Sequence, residues 1–416
     1  MKVMVVTPYL PHRRVGHGGG TAVRDLVTWL ARKHEVLVAS PLRPGEDALV
    51  EQVAELGVQV VTLPFRDAGT RGPAKIGLWA DRLAAWSRAR NTGYPLYVEK
   101  YWSAGLSQRL QDIAVSFAPD AIQVEYLQLA LLVRDLVSRR GGQDFPRVIL
   151  NSHELGSVPR QRRAAAATDT GERRTALAEA GSWCRLQVDA SKWADRTLCV
   201  TDEDRDLYAR MGGCKLVTVP LGVDTTRIIP VWDPPPDGPE EYLFVGSFGH
   251  RPNRLAARLL VETVWPLVRN RRPGAQLVLA GRGSREFLAG LPADLPQDGV
   301  RADGFVDDLT PLFRRSRLFL APLAEGGGIK IKILEAMARG IPVLTTEVGA
   351  EGIFAPADEA AIIASPDGRE FAAAVCEAAA DPEACRQRAA RGRAHIESSY
   401  SWESIVSRLA DIYREA

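Results

Sequence analysis

Between Glu325 and Val348 the chain reads EGGGIKIKILEAMARGIPVLTTEV, which gathers three glycines, two cations and one carboxylate around a single expected helix start. The glycines leave the backbone N–H groups of residues 326 to 329 able to close on an anion, and a helix beginning near Ile329 would aim its positive end at the same point. Lys330 and Lys332 fall in its first turn, where a cation opposes the helix dipole unless an anion sits there too. Glu335 stands three residues beyond Lys332 and shares a helix face with it. Taken singly, a glycine triplet is ordinary loop and a Lys–Glu pair is a solvated contact worth roughly a few tenths of a kcal/mol. Together they have the chemistry of a diphosphate cradle, with Gly327, Gly328 and Ile329 as its backbone.

Other segments place reactive types at expected strand ends. PYLPHRRVGHGGGTAVRDLVTWL brings Gly18, Gly19 and Gly20 to the start of an amphipathic helix after the first strand, where open α/β sheets bind ligands. It is neither a P-loop nor a GxGxxG fingerprint. VILNSHELGSV sets His153 just past a buried strand, with Glu154 beside it; no second histidine follows four residues on, which excludes zinc-protease chemistry. YLFVGSFGHRPNRL ends a strand in a turn at Gly246 and Ser247 and then enters a helix, where Asn253 reads either as a ligand contact or as a helix cap, with His250 and Arg251 as weaker candidates. QLVLAG leads to Arg282, which at a strand's carboxyl end facing a glycine nest has reason to bind phosphate.

The elements that must position these groups alternate along the chain, short β-rich runs with helical stretches, which predicts parallel sheets wound by helices. Strands are expected at 2–7, 35–39, 59–63, 121–124, 147–151, 196–200 and 215–219. A second series follows at 242–245, 275–280, 300–303, 318–321, 343–346 and 361–364. Between them VWDPPPDGPEE reads as a hinge, because its prolines continue neither element. This divides the chain near Ile229 into a first domain, 1–229, and a second, 230–401. The closing SWESIVSRLADIYREA places Trp402, Ile405, Leu409 and Ile412 on one buried helical stripe over 402–416.

The donor-site stretch, with its close EAMARGIPV match and with the other segments in matching order over nearly the whole length, resembles glycosyltransferase family 4, retaining enzymes of the GT-B fold. The GGGIKIK form is similar to a bacterial subgroup found in polysaccharide and secondary-metabolite synthesis. The resemblance implies two Rossmann-like domains facing across a cleft, the final helix returning to the first, and a nucleotide-sugar donor with UDP favoured. It further implies that Lys330, Lys332 and Arg282 steady the departing diphosphate and that Glu335 holds the nucleotide ribose. Gly18 to Gly20, Gly246, Ser247 and Asn253 would lie near donor phosphates or sugar, Phe305 and Val306 of ADGFVDDL at the base, and His153 near the transferred sugar. Members usually have two glutamates separated by seven residues; here Gly327 occupies the first position and Glu325 stands two residues out of register. Acceptor recognition would fall to Tyr9–Thr21 and Gly93–Trp102.

At 416 residues, 46% hydrophobic and 25% charged, the composition is that of an ordinary two-domain globular chain, and a formal charge of +2 gives no support for nucleic-acid binding. Residues 1–220 nevertheless hold 30 Lys and Arg against 24 Asp and Glu. Five of those arginines lie in PRQRRAAAATDTGERRTALAEAG, readable as a basic lid, a patch for anionic lipid, or a solvated helical surface. Without a long apolar segment or a signal-peptide start, the expected location is the cytoplasm or the inner face of the membrane. Five cysteines without a CxxC pair read as reduced packing residues. No metal or other cofactor is expected: TDEDRD reads as a helix capped by Thr201, and Asp307 and Asp308 as another helix start. The same fold serves UDP-N-acetylglucosamine 2-epimerases, against which EAMARGIPV and HRPN favour transfer, and glycogen phosphorylase, whose cofactor-bearing lysine has no counterpart context here. The displaced glutamate leaves a third reading, a nucleotide-sugar-binding partner without turnover, against which the intact cation set argues.

Overall fold

The computed structural model describes residues 1–12, 18–67, 69–72, 74–138, 145–230, 240–326, 328–353 and 360–415, so Gly327 and most of the proline-rich hinge lie outside the described residues. The chain forms two compact units, one of Met1–Pro220 with Ile405–Ala416 and one of Leu221–Ser404. The segment from Leu221 to Ile229 packs with the second unit: Val223 bridges Ser401, and the Arg393 guanidinium donates to the Thr225 carbonyl at 3.0 Å and the Ile228 carbonyl at 3.3 Å.

Among the described residues thirteen strands form where the sequence predicts them, no end differing by more than three residues. In the first unit these are β1 (Lys2–Val6), β2 (Glu35–Leu42), β3 (Gln59–Pro64), β4 (Ala121–Glu125), β5 (Arg147–Asn151), β6 (Arg196–Cys199) and β7 (Leu216–Thr218). In the second they are β8 (Glu240–Val245), β9 (Ala275–Ala280), β10 (Val300–Gly304), β11 (Ser316–Ala321), β12 (Val343–Thr345) and β13 (Ile362–Ile363). The helices that matter below are α1 (Gly18–Leu30), α2 (Ala74–Thr92), α3 (Arg251–Leu259), α4 (Ile331–Ala338) and α5 (Trp402–Glu415).

Each sheet is wholly parallel, in the orders β3-β2-β1-β4-β5-β6-β7 and β10-β9-β8-β11-β12-β13. Parallel strands covered by helices on both faces read as near-continuous apolar runs, and Val3 to Val6 and Leu277 to Ala280 are buried without interruption. The strand order reverses between β1 and β4 in one sheet and between β8 and β11 in the other. At such switch points the crossovers diverge and leave a crevice at the carboxyl ends, the usual ligand position in this architecture. Gly18–Gly20 form the first turn of α1, the helix start where the sequence places them. The body of α5 belongs to the first unit: its predicted stripe of Trp402, Ile405, Leu409 and Ile412 is buried, and Tyr413 donates to Gln123 Oε1 on β4 at 2.5 Å.

Among the described residues all five cysteines are free, no three His, Cys, Asp or Glu side chains gather as a metal site, and no helix is long and apolar enough to cross a membrane. Thr201 caps its helix by accepting from the Asp204 N–H at 2.9 Å, and Asp308 accepts from the Thr310 N–H at the start of the helix Thr310–Arg315. In the basic segment, Arg163 pairs with Glu179 at 2.7 Å on neighbouring helices, the contact of a solvated helical surface.

Candidate functional site

In the second unit the predicted residues converge on the switch point between β8 and β11. The chain leaves β8 through Gly246 and Ser247 and turns into α3. Asn253 sits in the first turn of that helix, buried, and its amide reaches back to donate to the Ser247 carbonyl at 2.9 Å. Asn253 therefore does not cap the helix; its remaining oxygen accepts from Lys332 Nζ on α4. Two glycines make the approach feasible. Gly281, ending β9, has φ +126° and lies against Gly246, where a Cβ would stand 2.0 Å from the Gly246 carbonyl oxygen. A Cβ on Gly246 would in turn stand 2.9 Å from Asn253 Cγ.

The start of α4 corrects one expectation. Gly326 and Gly328 take φ of +132° and +66°, left-handed values outside a right-handed helix, and Lys330, at φ −93° and ψ 89°, is itself non-helical, so the helix begins at Ile331 with Lys330 as its N-cap rather than near Ile329. Lys330 is buried and turned onto its own loop: Nζ donates to the Gly328 carbonyl at 2.5 Å and pairs with Glu351 at 3.3 Å. Ile329 is buried. Lys332 is the cation of the first helical turn. Its ammonium lies 5.0 Å from the Phe244 ring centroid, and desolvation, followed by the Lys330 charge, lowers its pKa to about 7. Glu335 is half-buried one turn further along. Glu325 holds the rim of this loop by pairing with Arg251 at 2.8 Å.

Arg282 and Phe305 come from adjacent loops after β9 and β10. They meet because the Gly281 N–H donates to the Gly304 carbonyl at 2.7 Å; the guanidinium carbon lies 5.9 Å from the ring centroid. Both side chains are exposed, and Val306 is half-buried beside them. The arrangement provides an exposed aromatic face, a nearby guanidinium, and a half-buried lysine at a helix start, the complementary surfaces for a base and a diphosphate.

The first unit has its own cluster at the β1/β4 switch point. His153 follows β5 with φ +57° and Tyr126 follows β4 with φ +71°, and their rings stack in parallel with centroids 3.7 Å apart. Two non-glycine residues in the left-handed region, packed on each other, mark a conformation that the surroundings must enforce. The enforcing group is Glu125, fully buried, whose Oε2 lies 2.5 Å from His153 Nε2 and accepts from Asn151 Nδ2 at 3.1 Å. With Glu125 as acceptor, Nε2 donates, while among the described residues the buried Nδ1 has no hydrogen-bond partner. Gln123 donates to the other Glu125 oxygen at 2.5 Å, and Tyr413 donates to Gln123. Tyr9 and Tyr126 share a hydroxyl–hydroxyl bond, and burial, with the neighbouring phenol, pushes the Tyr9 pKa far up. Glu154 is exposed and takes no part in this network. In the segment expected to recognise the acceptor, Tyr97 and Tyr101 meet edge to face and Glu99 is buried against Arg88 at 2.9 Å. Gly18 to Gly20 open α1 in the same unit.

Sequence reasoning missed Gln123, Glu125, Tyr126 and Tyr413. The available signal was AIQVEY: two polar side chains two residues apart share one face of a strand otherwise buried on both sides, where an unsatisfied carboxylate would be very costly.

Residues 16–227 match the family pattern described as Glycosyltransferase Family 4, and residues 239–381 match that described as Glycosyl transferases group 1. Over 428 aligned positions the chain is 24% identical to a glycogen synthase of Mycobacterium tuberculosis, spanning 100% of this chain and 95% of that protein. It is 32% identical to the GDP-mannose-dependent monoacylated alpha-(1-6)-phosphatidylinositol monomannoside mannosyltransferase of Corynebacterium glutamicum, over 35% of this chain and 41% of that one. Among solved structures, its fold is similar to a sucrose-phosphate synthase from Thermosynechococcus elongatus, with a TM-score of 0.71 at 17% identity over 100% and 99% of the two chains. It is likewise similar to Anabaena HepE in complex with UDP and glucose, with a TM-score of 0.65 at 12% identity over 100% of both chains.

Proposed function

The chain belongs to glycosyltransferase family 4, and on that premise we propose that it moves a sugar from a nucleoside diphosphate sugar, with UDP-sugars favoured, to a hydroxyl of a glycan, lipid-linked or small-metabolite acceptor with retention of anomeric configuration. The observation that carries this reading is the chain of contacts from Lys332 through Asn253 to the Ser247 carbonyl, which sets a half-buried cation at the carboxyl edge of the β8/β11 switch point.

The mechanism follows from charge. The bond from the anomeric carbon to the diphosphate oxygen breaks with its electron pair passing to that oxygen, so negative charge grows on the leaving group and positive charge on the sugar ring. Groups placed in advance around the leaving oxygen lower that barrier without reorganising. Lys332 and the backbone N–H groups at the start of α4 meet the diphosphate, with Arg282 at its outer side. Lys330 acts through the loop it ties to Gly328 and Glu351. Glu335 is assigned to the ribose hydroxyls, Phe305 and Val306 to the base, and His153 to the transferred sugar. The acceptor oxygen bonds to the anomeric carbon on the leaving-group face and its proton passes to the departing phosphate oxygen, so no protein nucleophile is required. Lys332 and Arg282 supply the charge that a divalent ion would otherwise bring.

The test is a calorimetric panel of UDP, GDP, dTDP and ADP, with their common sugars, in the presence of EDTA. Micromolar binding of one family supports the reading and names the donor; binding of none sinks it. Relatives named for GDP-mannose make GDP the first competitor to UDP. A second reading, a nucleotide-sugar binder without turnover, is favoured by the Glu325 carboxylate being engaged by Arg251. Slow hydrolysis of the bound donor without acceptor would exclude it.

A further inference from the structure

Helix α2 has two apolar faces. One is ordinary: Leu78 and Ala85 are buried, and Arg88 turns inward to pair with Glu99. The other faces outward. Ile76, Trp79, Leu83 and Trp86 recur at steps of three, four and three residues, the spacing of a single helical stripe, and are 77%, 68%, 68% and 49% exposed. Soluble chains seldom leave so much contiguous apolar and aromatic surface in water unless something covers it.

The charges along this face say what that is. Lys75, Arg82 and Arg90 are exposed on the same outward arc, with the Arg82 guanidinium 5.7 Å from the Trp79 ring and that of Arg90 4.7 Å from the Trp86 ring. The helix's acid, Asp81, is neutralised by Arg66 at 2.9 Å. A second copy of this helix seated on the first would set those cations against their own counterparts. An anionic lipid surface satisfies both features at once, the indole and aliphatic groups entering the acyl boundary and the cations staying at headgroup level.

We propose that the outward face of α2 docks the first unit on an anionic phospholipid bilayer, with the helix lying in the plane of the interface. This is independent of which sugar is moved, because the docking surface shares no residue with either switch-point cluster.

The test is co-sedimentation of the full chain with vesicles of phosphatidylcholine alone and of phosphatidylcholine with phosphatidylglycerol, together with analytical ultracentrifugation. The wild type is expected to bind the anionic vesicles and to release them at high salt. Trp79→Ser/Trp86→Ser should lose at least about tenfold in partitioning with an unchanged melting temperature, since both side chains point outward. Arg82→Gln/Arg90→Gln should lose about 25-fold, from roughly fivefold per cation near such a surface. Failure of the wild type to sediment with anionic vesicles, or wild-type binding by the tryptophan double variant, overturns the proposal. So does a dimer that the tryptophan variant abolishes in the absence of vesicle binding, which would make the stripe an interface between copies.

Discussion

Lys332 and Asn253 stand 79 residues apart in the chain, yet the lysine ammonium donates to the asparagine side-chain oxygen. That one bond joins the helix start after β11 to the turn after β8, the two strands flanking the switch point of the second sheet. Asn253 has committed its amide to the Ser247 carbonyl, so its orientation is set and only its oxygen is left for the lysine. The result is a cation held in place before any ligand arrives.

The desolvation of its ammonium should make donor binding pH-dependent. With the Lys332 pKa lowered to about 7, the free protein sheds this proton as pH rises through that value, whereas a bound diphosphate favours the charged form. Affinity should therefore be flat below pH ~7 and fall above it, by up to about tenfold per pH unit, with close to one proton taken up per nucleotide bound near pH 8. Calorimetry in two buffers of different ionisation enthalpy measures this, and Lys332→Met should abolish the uptake. Because the unfolded lysine holds its proton more tightly, stability of the unliganded protein should rise across the window from about 7 toward 10.5. Lys332→Ala and Glu335→Ala should each weaken donor binding or turnover by at least about tenfold, or 1.4 kcal/mol.

Gly281→Ala should be severe for a different reason. The new Cβ would lie 2.0 Å from the Gly246 carbonyl oxygen at a φ of +126°, so the turn that positions Ser247 and Asn253 must move. A loss of about 3 kcal/mol or more is expected, visible as a lower melting temperature together with lost nucleotide binding. Unchanged affinity in this variant would show that the turn does not position the donor.

Glu125→Gln tests the first unit's cluster. The side chain keeps its size but replaces an acceptor-only group beside His153 Nε2 with a mixed one, which unsettles the ring's tautomer and its stack on Tyr126. Turnover should fall by about tenfold or more, as expected when a positioned group is misoriented, while nucleotide affinity measured by calorimetry stays at the wild-type value. A parallel fall in affinity would mean that Glu125 acts on the fold rather than through His153.

Tyr413→Phe should report the tie between the last helix and β4. The change deletes the hydroxyl that donates to Gln123 and strands a buried amide oxygen, at a cost of about 1–3 kcal/mol. Turnover should fall with it, because Gln123 also orients Glu125. A melting temperature and a turnover both unchanged would remove Tyr413 from the network.

Sequence by itself determined the elements. Apolar runs such as Val3–Val6 can only be strands covered on both faces, and the alternation of such runs with helical stretches specified two parallel sheets. The residue types of the donor motif were legible because EGGGIKIK compresses a nest, two cations and a helix start into consecutive positions. What only the tertiary structure decided was which side chain faces which. The two lysines of that motif read alike in sequence, but the non-helical backbone of Lys330 delays the helix to Ile331, so Lys330 folds back on its own loop and Lys332 alone reaches across to Asn253. Glu125 and Tyr413 gave little sign of being partners, since their link passes through Gln123, itself 290 residues from Tyr413. Local spacing constrains backbone geometry within an element. Long-range polar pairing depends on strand order and on the path of the returning helix, which no local window contains.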